Sequence, residues 1–107
     1  MSMSAEEIAQ VCHSANMAYS KVTSTTTANS VPWSHLKPEI QRNVIKGVEY
    51  AIANPLALPE DMHEKWRETC DPDHECNVPY DELPPNQQVK DRLFSVITQI
   101  LSSPGVQ

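Results

Sequence analysis

The chain of 107 residues has only two glycines, one phenylalanine and eight basic residues, and it has no long apolar run. Two glycines leave few positions for the positive-φ turns of tight hairpins, and strand-like alternation is absent, so a β fold is not expected. No stretch reaches the ~18 apolar residues that a membrane crossing needs. The N-terminal string MSMSAEEIAQ has neither a basic start nor an apolar centre, so neither a signal peptide nor an anchor is expected. Three cysteines with no secretion signal point to reduced thiols and a cytoplasmic protein. Bases are outnumbered by fourteen acids, for a net charge of −6. Nine of those acids fall between Glu60 and Glu82, against Lys65 and Arg67 alone. Such a surface repels phosphate backbones, so no nucleic-acid partner is expected. No internal repeat is visible.

The apolar share of 39% with 21% charged residues is that of an ordinary globular domain, and the length suits one domain over 1–107 with a core over about 5–102. Ser4 and Glu7 form a capping box, and Ile8, Val11, Cys12, Ala15, Tyr19 and Val22 recur at helical spacing. That predicts a first helix over roughly Ala5 to Lys21. Thr23 to Ser30 is polar and aperiodic, hence loop. Pro38 opens a second helix, with Ile40, Val44, Val48 and Ile52 on one side and Asn54-Pro55 at its end. Pro59 opens a third, short helix through about Thr69, with Met62 and Trp66 on one side. Asp71 to Leu83 reads as loop with a single tight turn. Pro84-Pro85 starts a fourth helix with a stripe of Val89, Leu93, Val96, Ile97, Ile100 and Leu101, stopped at Pro104-Gly105. The predicted fold class is all-α, a small four-helix bundle with long polar loops.

Several strings, taken in order, resemble the RyR domain, the repeat module of ryanodine receptors that also stands alone in phage and bacteria. They are Val11-Cys12-His13-Ser14-Ala15-Asn16 with Tyr19, Pro32-Trp33, Gly47-Val48, and Ala53-Asn54-Pro55. His63-Glu64-Lys65-Trp66, Val78 to Pro84, Lys90-Asp91 and Leu93-Phe94 complete the set. One departure is the absence of a Gly-Trp-x-Tyr-Gly hairpin after the His-x-x-Trp helix, where only Arg67 to Asn77 stands. The resemblance implies a binding module without catalytic residues or cofactor. In a phage it implies a protein that sequesters a nucleotide-derived immune signal, of ADP-ribose or cyclic-nucleotide type, without turnover.

The residues themselves offer three constellations. His13, Asn16 and Tyr19 share one side of the first helix and present polar edges. Trp33 and Tyr80, each beside a proline, offer planes on which a flat ligand stacks. Arg42 and Lys46, one turn apart, suit a phosphate, with Lys37 nearby and Lys90 and Arg92 the other cations in reach of an anion. Together they predict a cleft between the first two helices and the Val78–Pro84 loop that holds a small anionic molecule, with a dimer interface as a further place for a site. The alternative is a structural or protein-interaction domain with no small ligand. Cys70, His74 and Cys76 admit a zinc reading, although the spacing matches no common knuckle and acids interrupt it. No phosphate loop, His-Glu-x-x-His or nucleophile elbow occurs, and Cys12-His13 are helix neighbours about 100° apart, so no enzyme is expected.

Overall fold

The computed structural model describes residues 3–68, 70–74 and 76–102. Among them run four helices, α1 (Ala5–Thr23), α2 (Pro38–Ala53), α3 (Pro59–Arg67) and α4 (Pro85–Ser102), and no strand. Two single 3₁₀ turns, Trp33–His35 and Tyr80–Glu82, lead into α2 and α4. The all-α prediction therefore holds. Expected and observed helices differ by a turn or less, with α1 running two residues further. Thr69 and the Pro104-Gly105 stop lie outside the described residues. No helix among those described is long and apolar enough to cross a membrane.

Local chemistry accounts for the ends. Ser4 Oγ accepts the Glu7 amide at 3.1 Å while Glu7 Oε1 accepts the Ser4 amide at 2.8 Å, the reciprocal capping box. Prolines occupy the first turns of α2 and α3, where a missing N–H costs nothing. At the other end of α1, Ser24 takes a left-handed φ of 56° so that the Ser24 and Thr25 amides can reach back to Lys21 and Ser20. The core is small: Ile8, Ala9 and Cys12 of α1 meet Val48 of α2, flanked by Trp33, Val44, Ile45, Phe94 and Ile97.

The two halves of the chain repeat one another, which corrects the absence of a repeat in the sequence reading. Val31-Pro32-Trp33-Ser34-His35-Leu36-Lys37-Pro38 and Val78-Pro79-Tyr80-Asp81-Glu82-Leu83-Pro84-Pro85 adopt the same path. Pro32 and Pro79 have φ/ψ of −54/149° and −53/149°, and Leu36 and Leu83 have −72/147° and −70/147°. Gln41 Nε2 donates to the Trp33 carbonyl at 2.7 Å, and Gln88 Nε2 to the Tyr80 carbonyl at 3.2 Å. Leu36 and Leu83, Val48 and Ser95, and Ala51 and Thr98 are buried in pairs. Only five residues of this stretch are shared (Val, Pro, Leu, Pro, Gln), and the loops before them differ in length, so no fixed period shows in the sequence.

The equivalent positions 47 and 94 touch each other where α2 meets α4: a Cβ on Gly47 would lie 3.2 Å from Phe94 Cζ. A Cβ here would need the Phe94 ring to give by a few tenths of an ångström. Gly47→Val adds three carbons against that ring and is expected to cost about 2 kcal/mol, within the range for overpacking. Urea denaturation followed by circular dichroism measures it, and an unchanged midpoint would show that the ring moves aside freely.

Candidate functional site

Each half of the repeat is pinned by a histidine. His13 Nε2 lies 2.6 Å from the Val31 carbonyl, and His63 Nε2 lies 2.6 Å from the Val78 carbonyl. A carbonyl only accepts, so both histidines must carry their proton on Nε2. The rings then meet the aromatic of their own turn edge-on: His13 and Trp33 at 6.0 Å and 64°, His63 and Tyr80 at 6.1 Å and 66°. The helices thus hold the 3₁₀ turns through one short hydrogen bond and one ring contact apiece. Sequence reasoning placed His13 in the ligand site but named His63 only upstream of the zinc reading and in the resemblance, although both stand one residue after an apolar helical position.

The halves diverge around this shared frame. Where the first half has Val44 and Ile45, both packed against the core, the second has Asp91 and Arg92. Where the first has Gln10, Ser14 and Ser34, the second has Glu60, Glu64 and Asp81. Beside these residues the second half has a shallow open groove of about 610 Å³, lined by Pro59, Glu60, Glu64, Pro79, Tyr80, Asp81 and Arg92, most of them exposed. Glu64 is held bidentately by Arg67 Nη1, at 2.8 and 3.1 Å. The Tyr80 hydroxyl donates to the Gln88 carbonyl at 3.3 Å, which fixes the ring in the cavity wall. A smaller cavity of about 380 Å³ lies between Tyr50 and Asp61 around Pro55.

Asp91, next to Arg92 on α4, is half-buried and faces His63. Its Oδ2 lies 3.5 Å from His63 Nδ1, with side chains 24% and 4% exposed, and makes no hydrogen bond. Burial pushes the Asp91 carboxyl up to about 6, while His63 and a Gln87 hydrogen bond pull the other way. The antiparallel register of α1 and α4, fixed by Cys12 at Thr98 and Tyr19 at Asn86, brings Asn16 to the level of Asp91. Asn16 Oδ1 is the other buried side-chain oxygen without a hydrogen bond among the described residues.

The structure brings only some of the predicted residues together. His13 and Trp33 touch, but the His13 bond to Val31 and the packing of Trp33 on the core occupy them structurally. The Tyr19 hydroxyl donates to Asn86 Oδ1 at 2.8 Å and ties α1 to α4. Arg42 and Lys46 are exposed on α2 and border neither cavity. Tyr80 belongs to the second half, where none of the other six residues lines its cavity. The groove that includes Tyr80 lies between α3, the second 3₁₀ turn and α4 rather than between α1 and α2. Arg92, named from sequence only as one of the other cations, is its sole cationic wall.

Among the described residues no group of three His, Cys, Asp or Glu could hold a metal, so Cys70, His74 and Cys76 do not gather around one. His74 Nδ1 accepts the Cys76 amide at 3.0 Å, and its ring stands edge-on to Trp66 at 5.4 Å. Cys12 is fully buried, with its thiol pushed up to about 11 by desolvation, so it is held as a thiol rather than a nucleophilic thiolate. Comparison of the chain with protein-family models, with curated proteins and with solved structures finds no match. What the cavity does must therefore be inferred from its own residues.

Proposed function

We propose that this chain is a binding module, not an enzyme, that holds a small nucleotide-derived molecule in the cavity beside Tyr80 and Arg92. The observation that carries the reading is the divergence of a repeated frame: where the first half has Val44 and Ile45 packed on the core, the second has Asp91 and Arg92, and an open groove lies beside Arg92. Tyr80 offers a ring to a base, Arg92 a guanidinium to one phosphate, and Glu60 and Asp81 accept from ribose hydroxyls or an exocyclic amine. Three lining carboxylates against one guanidinium disfavour a polyphosphate, so a cyclic-nucleotide or ADP-ribose type of ligand suits the charge better than a triphosphate. The committed Nε2 atoms of both histidines and the buried Cys12 thiol support binding without turnover. The resemblance to the RyR domain points the same way, and in a phage such a protein would sequester a host signal in the cytoplasm.

Thermal shift against ADP-ribose, cyclic dinucleotides and NAD tests the reading, because a ligand at 100 times its dissociation constant adds about 2.7 kcal/mol of stability. Arg92→Glu and Tyr80→Ala are each expected to abolish the shift, and the ligand should be recovered intact after incubation. A melting point unmoved by the whole panel would overturn the proposal. Loss of the shift in Arg42→Glu but not in Arg92→Glu would move the site to the cations of α2.

The second reading, a protein-interaction domain, is favoured by exposed apolar side chains: Leu56 at 92%, Leu58 at 56%, and Val96 and Ile100 on one flank of α4 at 50% and 62%. A homodimer through that flank would show as a doubled mass in light scattering that Val96→Glu abolishes.

A further inference from the structure

The geometry points to a proton-operated latch on the cavity wall: one proton shared between His63 and Asp91 holds α3 to α4 and keeps the second 3₁₀ turn seated, and its loss loosens that turn. The bearing of the latch on ligand entry rests on the binding reading above, but the latch itself does not.

The geometry leaves one atom pair to decide the state of the contact, His63 Nδ1 and Asp91 Oδ2 at 3.5 Å. His63 Nε2 must donate to the Val78 carbonyl, so the state of the pair turns on Nδ1. With one proton between Nδ1 and Asp91 Oδ2, either atom can carry it and the contact is attractive. Without it, the Nδ1 lone pair faces a buried carboxylate oxygen at 3.5 Å, and the proton has passed to bulk water. The pair then carries a net negative charge on a carboxyl only about a quarter exposed, which is costly. His63 transmits the change because it touches three things at once. It stacks on Trp66 at 5.4 Å and 27°, stands edge-on to Tyr80, and bonds the carbonyl that precedes Pro79. The first half serves as an internal control, since His13 makes the same carbonyl bond and the same edge contact with Val44 where Asp91 would stand.

Other charged groups on the surrounding elements are exposed or committed elsewhere. On α3, Glu64 pairs with Arg67 and Lys65 with Glu68, while Glu60, Asp81 and Arg92 line the open cavity. Glu82 of the 3₁₀ turn is exposed, and Lys90 of α4 donates to the Thr25 carbonyl. On α2, Lys46 and Glu49 are exposed and Tyr50 lies under Lys65. From α1, His13, Cys12 and Tyr19 bond Val31, Thr98 and Asn86. His74, edge-on to Trp66, is the one remaining titratable ring on the stack. Burial of Asp91 favours its protonated form, which is the state that closes the latch.

The test needs no ligand, so its outcome is separable from that of the thermal-shift panel. Amide hydrogen exchange of Glu82 and Leu83, the donors that close the 3₁₀ turn, is measured from pH 5 to 8.5 and corrected for intrinsic exchange. Wild type should lose protection about tenfold per pH unit above the pair's titration, one unit being about 1.36 kcal/mol. In Asp91→Asn, whose amide can donate to a bare Nδ1 or accept from a protonated one, protection should stay flat, and the equivalent amides His35 and Leu36 of the first half should stay flat in both proteins. A flat wild-type profile, a step retained in Asp91→Asn, or an equal step at His35 and Leu36 would each overturn the latch.

Discussion

Replacing His63 by alanine is expected to cost about 3 kcal/mol or more, because the roughly 1–3 kcal/mol of an unsatisfied buried acceptor is joined by two further losses. Three losses coincide. The Val78 carbonyl loses its 2.6 Å donor, Asp91 keeps a buried oxygen with no proton to share, and Trp66 and Tyr80 lose the ring between them. A domain of this size has about 5–15 kcal/mol in all, so the variant should be marginal at room temperature. Its melting temperature should fall by at least ~12 °C, at about 4–8 °C per kcal/mol for a domain of 60–100 residues. His13→Ala removes the same kind of carbonyl bond and edge contact but strands no carboxylate, so about 1–3 kcal/mol is expected there. Chemical denaturation of both variants makes the comparison. Equal losses would mean that the Asp91 contact contributes nothing.

The second large effect is a dependence of stability on pH that one residue controls. The Asp91 carboxyl, ordinarily at 3.8, is pushed up to about 6 in the folded chain, so the folded state binds that proton more tightly than the unfolded one. A group raised in this way contributes fully below its unfolded value, and the contribution is lost as pH rises through the folded value. Between pH 4 and pH 7 wild type should therefore lose stability relative to Asp91→Asn, by at most about 3 kcal/mol at 1.36 kcal/mol per unit. Urea denaturation of the two proteins across that range gives the difference curve directly. A difference that does not change with pH would mean that the carboxylate is as well solvated in the fold as in the unfolded chain.

The four helices were legible because each is specified by its own residues. The Ser4–Glu7 box, prolines 38, 59 and 85 at first turns, and apolar residues at three- and four-residue steps need no partner to be read. The role of Trp33 was half legible: a rigid aromatic after Val31-Pro32 does anchor the approach to α2. Its packing on the core, which sets it apart from Tyr80, depends on Ile8, Ala9 and Cys12 arriving from α1. Arg42 and Lys46 pair well on a helix, yet no other element comes to meet them. A basic pair one turn apart is a local pattern, and whether it faces a cavity is not.

Helix positions, the all-helical class and the shortage of core were determined by the sequence alone, since periodicity, capping and composition act over a few residues. Only the tertiary structure decided that the chain is one motif used twice, because the equivalence is carried by backbone path and by bonds spanning 18 residues in one half and 15 in the other. It alone decided that Asp91, which follows Lys90 like any surface acid, is turned inward against His63. Burial of a charge is settled by which helix packs over it, and α3 packs over this one.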